Sequence, residues 1–135
     1  MDAVAGPMLR QMKALGVNAK FMGGDGICTA DLVKLAGDAI GEGQVVCAEA
    51  GGVLDAQKVA NDNWKAASKK KFGVDVQIYA PYVYDAVMTM VEAMKQANSA
   101  EQAKYLPVLK KIKYKGVTGD IAFDDKGDIK VGTLT

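Results

Sequence analysis

The chain has 135 residues, half of them hydrophobic, so it is long enough to bury a core as one domain and is no disordered tail. Lysine and arginine number 17 against 16 acidic residues, and the formal charge of +1 gives no global pull toward nucleic acid or an anionic membrane. Histidine is absent, which removes the commonest general base and the commonest metal ligand, and no run of about 18 apolar residues is present to cross a bilayer as a helix.

In chain order, residues 1–15 lack a secretory-leader pattern, because an acidic residue stands near the start and Arg10, Gln11 and Lys13 interrupt the apolar positions. Met8, Leu9, Met12 and Leu15 instead share one side of a helix predicted over 4–15, with Gly16 placed to stop it. A short buried strand is predicted near 20–22. The stretch Phe21-Met22-Gly23-Gly24-Asp25-Gly26 then sets one carboxylate among three glycines, just where the strand gives way to a helix capped by Thr29 and running to about Ala39. A carboxylate at such a corner is well placed to meet a ligand, since ligands collect at the carboxyl ends of strands in open α/β sheets. The same residues also suit a plain glycine-rich turn with a solvated aspartate. Two sharper motifs fail: a cyclic-dinucleotide synthase signature needs an acidic residue and phenylalanine where Gly26 and Ile27 stand, and a phosphate loop needs a lysine before Thr29.

A second buried strand is predicted over 44–49, centred on Val45-Val46-Cys47, and Gly51-Gly52 reads as a crossover or hinge. A helix from Asp55 to about Phe72 would pack through Ala56, Ala60, Trp64 and Ala67, and Gly73 would end it. Pro81 announces the next helix, whose predicted core stripe is Val83, Val87, Met90, Val91 and Met94, with the methionines as packing. Ser99 and Gln102 form a capping box for a third helix that Pro107 must interrupt or restart. The tail alternates through Ile121 and Phe123, turns at 124–128, and resumes with Ile129 and Val131. That turn has the wrong spacing for a calcium loop and is expected to be a hairpin turn with Gly127 at positive φ. The lysines at 69–71 and 110–113 read as solvated helix ends, not a nucleic-acid surface. The pattern is α/β with an incomplete sheet, starting on a helix and stopping within or just after a strand at Leu134-Thr135, as expected for a piece of a larger protein.

Three stretches occur in an order that resembles the branched-chain amino-acid-binding proteins of bacterial ABC importers, the Leu/Ile/Val-binding type. They are Phe21 to Gly26, the segment Gln77-Ile78-Tyr79-Ala80-Pro81-Tyr82-Val83-Tyr84-Asp85-Ala86, and the tail from Tyr114-Lys115-Gly116-Val117 to Phe123-Asp124-Asp125-Lys126-Gly127-Asp128. The resemblance covers essentially the whole chain. It implies a C-terminal fragment of a type I periplasmic-binding-protein fold, two-lobed and layered α/β/α: residues 1–50 in the second lobe, 51–120 a hinge crossing plus helices of the first lobe, and 121–135 returning to the second. The implied function is amino-acid capture in the periplasm for the membrane subunits of an importer, with no cofactor and no catalysis. Asp25 falls where the family pairs an acidic residue with the ligand's α-ammonium, Tyr79 where an aromatic ring covers the ligand side chain, and Asp2 near a further pocket-lining position. Tyr82 and Tyr84 suit the aromatic role on chemistry alone, and the resemblance selects Tyr79. Gly51 and Gly52 would be a hinge crossing. Cys28 and Cys47 are expected to pair in an oxidising periplasm, closing a loop worth about 3 kcal/mol. Two other readings stand beside this one: a flavodoxin-like enzyme or nucleotide-binding domain, and a fragment that self-associates or domain-swaps through an exposed sheet edge.

Overall fold

The computed structural model describes residues 1–49, 51–53 and 55–132. The strand expected at Leu134-Thr135 lies outside the described residues. The chain divides into two compact units, Met1–Ala50 and Gly51–Thr133.

The first unit runs α1 (Asp2–Ala14), β1 (Phe21–Gly23), α2 (Ala30–Ala36) and β2 (Val45–Cys47). β1 and β2 are parallel, with Phe21 opposite Val45, Met22 opposite Val46 and Gly23 opposite Cys47, and α2 is part of the crossover between them. The strands are not buried on both faces, as their apolar runs led one to expect. Phe21, Val45 and Cys47 turn inward to a core of Ala5, Leu9, Ile27, Leu32 and Ala36, while Met22 on the other face is 71 % exposed. α1 meets that core through Ala5, Gly6 and Leu9, so the buried stripe is shifted one turn toward the N-terminus and Leu15 is left exposed. Gly6 has no room for a side chain against Leu35 of α2, which lets the two helices approach closely. Gly16 ends α1 as expected, at φ +70°, with its own N–H donating to Lys13 and the Val17 N–H to Met12, the two bonds of a Schellman stop. Thr29 caps α2 by accepting from the Leu32 N–H at 3.2 Å, but the helix stops at Ala36 because Gly37 takes φ +57°, and a short 3-10 turn carries the chain to Ala39.

The second unit contains α3 (Asp55–Phe72), α4 (Ala80–Gln96), α5 (Gln102–Leu109) and a hairpin of β3 (Tyr114–Lys115) with β4 (Asp120–Ile121). Both long helices form where expected, α3 ended by Gly73 at φ +76° and α4 opened by Pro81, yet each turns only part of its predicted stripe inward. Along α3, Ala56, Ala60 and Ala67 are exposed, and the inward positions are Gln57, Asn61, Trp64 and Ser68. On α4, Val83, Val87 and Met90 are exposed and Val91 and Met94 half-buried, whereas Pro81, Asp85, Thr89 and Ala93 are buried.

The reason lies in what these helices cover. The loop after β3 presents bare backbone, and a buried backbone group needs a hydrogen-bond partner. Asp85, 1 % exposed, accepts from the Val117 N–H (2.9 Å), the Thr118 N–H (2.8 Å) and the Thr118 hydroxyl (2.6 Å). Asn61 donates to the Val117 carbonyl at 3.3 Å, and Thr89 donates to the Asp85 carbonyl at 2.7 Å. A Cβ on Gly116 would collide with the Asp85 carboxylate. Hydrophobic periodicity cannot see a face whose partner is backbone.

The capping box does not form: Ser99 accepts from the Glu101 N–H instead, and Glu101 is the N-cap of α5, its side chain pairing with Lys104 and not capping the helix. Pro107 sits inside α5, which ends two residues later. The turn at 124–128 has Gly127 at φ +93°, with Asp124 Oδ1 accepting from the Lys126 and Asp128 N–H groups, and Phe123 bridging Ile129.

Removing the Asp85 carboxylate strands three donors in the interior. Asp85→Ala is expected to cost about 3 kcal/mol or more. Asp85→Asn should cost less, though its amide offers one acceptor oxygen where two are used. Urea unfolding followed through Trp64 fluorescence checks both; an Asp85→Ala protein as stable as the parent would contradict the clasp.

Candidate functional site

The carboxyl ends of β1 and β2 bring together most of the residues singled out in the first unit. Past Gly23 the pairing continues through the Ala48 N–H donating to the Gly23 carbonyl at 3.0 Å. Ile27 packs where a Gly23 side chain would be, so the chain turns sharply over its own strand. Asp25 opens a 3-10 turn, Asp25–Ile27, in which its carbonyl accepts from the Cys28 N–H at 3.0 Å and its Oδ1 accepts from the Gly26 N–H at 2.9 Å. The Asp25 side chain is exposed, and its second oxygen has no partner among the described residues. Gly26 leaves space for the Met1 side chain, which sets the start of α1 beside this turn.

Asp2 occupies the first turn of α1 and ties it to α2. It accepts from the Thr29 hydroxyl at 2.9 Å and from the Ala3 N–H at 2.8 Å. The Thr29 hydroxyl, followed by the Ala3 amide, holds the Asp2 carboxyl below the ordinary carboxylate range. Thr29 therefore works in two directions, accepting for its own helix and donating to the neighbouring one.

Cys28 and Cys47 form a disulfide, with Cα atoms 5.7 Å apart. The bond joins the end of the Asp25 turn to the last residue of β2, so the turn is fixed to both strands: covalently to β2 and by chain continuity to β1. Beside it lies an open, largely apolar groove of about 450 Å³, with Cys28, Thr29, Leu32, Val45, Cys47 and Glu49 among its lining. Neither Asp25 nor Asp2 lines it. Glu49 is a carboxylate that sequence reasoning passed over; its signal was an acidic residue just beyond a strand's carboxyl end.

In the second unit, three nearby tyrosines have different surroundings. Tyr84 packs against Trp64 with ring centroids 5.1 Å apart. Tyr82 is half-buried and its hydroxyl accepts from the Gly52 N–H at 3.1 Å. Tyr79, the residue before α4, is 44 % exposed. Gly51 and Gly52 both take φ +111°. Among the described residues no cluster of His, Cys, Asp and Glu could hold a metal ion, and no helix is long and apolar enough to cross a membrane.

A family profile described as "Periplasmic binding protein" matches residues 2–133. Leu/Ile/Val-binding protein homolog 1 of Brucella abortus is 33% identical over 97% of this chain and 34% of its own length. The leucine-, isoleucine-, valine-, threonine-, and alanine-binding protein of Pseudomonas aeruginosa is 31% identical over 93% of this chain and 32% of its own. The chain thus spans about a third of the length of these curated relatives. Among solved structures, a leucine-binding protein from Thermotoga maritima superposes with a TM-score of 0.75 at 22% identity, over 98% of this chain and 38% of that one. The branched-chain amino acid transporter substrate-binding protein of Streptococcus pneumoniae, in complex with isoleucine, gives 0.69 at 18% identity, over 99% and 42%. These superpositions show the fold, an α/β fragment of the type I periplasmic-binding-protein architecture with incomplete sheets.

The disulfide and the Thr29 tie can each be checked separately. Cys28→Ser with Cys47→Ser is expected to lower stability by about 3 kcal/mol, seen as an earlier urea midpoint that reductant no longer shifts. Because the Asp2 pKa is lowered on folding, its contribution is present above the unfolded carboxylate range and is lost as pH falls through the depressed value. Thr29→Val should raise the Asp2 pKa toward the ordinary range in a carboxyl NMR titration, and Thr29→Ser should leave it low.

Proposed function

The chain belongs to the periplasmic binding protein family, and from that premise we propose that it is the later part of a receptor that closes on a branched-chain or related amino acid in the periplasm and delivers it to the membrane subunits of an ABC importer. In this reading residues 1–50 belong to the second lobe, 51–120 supply a hinge crossing and helices of the first, and 121–135 return to the second. The compact unit that begins at Gly51 runs on past 120.

The observation that carries the reading is the Asp25 corner. It presents an exposed carboxylate, with one oxygen unengaged among the described residues, at the carboxyl ends of two parallel strands on a turn stapled by a disulfide. An ammonium bound in a closing cleft needs such a rigid carboxylate, because it loses water and must regain a charged partner. Asp25 would pair with the α-ammonium, and Tyr79, with its exposed ring, would cover the apolar side chain. Asp2, committed to Thr29, would line the pocket indirectly by holding α1 beside the Asp25 turn. The relatives' names, which specify leucine, isoleucine and valine, support the ligand class. No covalent chemistry is assigned to the chain.

The 135-residue chain on its own also exposes Val83, Val87 and Met90 along one face of α4, with Val83 at 58 %. This favours self-association of the isolated chain, with exchange at Gly51-Gly52 as one route, and sedimentation at micromolar concentration tests it.

In the full-length receptor, Asp25→Ala should weaken leucine binding by about 2–5 kcal/mol, the cost of stripping one partner from a buried charge pair. Asp25→Asn should fail nearly as badly, since it keeps the shape and loses the charge. Tyr79→Ala should cost about 1–3 kcal/mol, more for leucine than for alanine, because it removes apolar contact alone. Folding should survive all three. Calorimetric titration decides the matter: leucine binding by Asp25→Asn equal to that of the unmodified receptor would reduce Asp25 to a turn residue.

A further inference from the structure

The second compact unit begins at Gly51, so the chain passes between the units through Gly51 and Gly52. Both have φ +111°, a conformation that glycine adopts without steric cost and that residues with a Cβ rarely do. A tyrosine side chain lies against both. Tyr82, in the first turn of α4, accepts from the Gly52 N–H at 3.1 Å, and a Cβ on Gly51 would run into the Tyr82 phenol. Three residues further along the same helix, Asp85 treats a second glycine segment in the same way. It accepts from the Val117 and Thr118 N–H groups and leaves no room for a Cβ on Gly116. Positions i and i+3 are neighbours on a helix surface, so adjacent side chains of α4 fasten two glycine-bearing segments, one of them the connection between the units.

We propose that Tyr82 is the hinge-positioning residue of the receptor: its hydroxyl holds Gly51 and Gly52 against α4 and so fixes where the second unit ends and the pivot begins. This rests on the reading of the chain as part of a receptor that closes on its ligand. Tyr84, two residues further on, packs against Trp64, whereas the Tyr82 hydroxyl reaches the junction backbone. Without that hydroxyl the two glycines gain conformations in the open state. Closure on a ligand has to remove them, so affinity falls although no ligand contact is lost.

The test is Tyr82→Phe in the full-length receptor, read by amide hydrogen exchange without ligand and by calorimetric titration with leucine. The Gly52 amide is expected to exchange about tenfold faster, while the Val117 and Thr118 amides, held by Asp85, keep their rates. The melting temperature should stay within about 2 °C, and leucine affinity should fall by about three- to tenfold. A merely structural tyrosine would move the melting temperature and leave affinity alone. Unchanged exchange at Gly52 overturns the proposal, and so does faster exchange with unaltered leucine affinity. If the unmodified receptor binds none of leucine, isoleucine and valine, the functional reading fails, while the Gly52 exchange rate still decides whether Tyr82 holds the junction.

Discussion

A carboxylate taken out of water must be met by donors, and Asp85 is met by three from a single loop. Much of the second unit follows from that requirement. α4 turns its Asp85 and Thr89 side inward and leaves Val83 and Val87 outward, and α3 brings Asn61 to the carbonyl of the same residue whose N–H Asp85 holds. Gly116 has to be glycine because the carboxylate fills the space of its side chain. Asn61, Asp85 and Thr89 are the buried polar residues among those described; the first two bond the loop and Thr89 bonds the Asp85 carbonyl within α4. Its purpose is mechanical: a short loop with little apolar surface of its own is fixed to two helices, and the segment that follows it starts from a defined place.

The first unit reaches rigidity by other means. Among the described residues its core is small, its sheet is two strands wide, and helices cover one face. A disulfide, a threonine bonded in two directions and the close approach of α1 to α2 at Gly6 supply what the sheet does not. Cys28 and Thr29 lie within four residues of Asp25. If Asp25 binds a ligand as proposed, fixing its turn matters because freedom left before binding has to be removed on binding.

Much of this was legible in the residues, and the failures share a cause. Local chemistry read well: Gly16, Thr29, Gly73, Pro81 and Gly127 act by backbone conformation or capping that their own neighbours determine, and each does what its type implies. The corner at Asp25 and the pairing of Cys28 with Cys47 were readable too, the second through the family resemblance. The faces of the helices were not. Val83, Val87 and Met90 have the spacing of a core stripe, but periodicity assumes an apolar partner, and α4 meets backbone amides through Asp85. Ala56 and Ala60 misled for the same reason, since the buried position beside them is Asn61. Ser99 and Gln102 fit a capping pattern, and Glu101 took the cap position instead.

The central claim is that the Asp25 corner recognises an ammonium group. Removing that group from the ligand while keeping its carboxylate and side chain isolates the claim without altering the protein. Calorimetric titration of the full-length receptor with leucine and with 4-methylpentanoate, which is leucine without its amino group, makes the comparison. Saturable binding of leucine with no measurable binding of 4-methylpentanoate at the same concentrations is the predicted result; equal affinity for the two would contradict it.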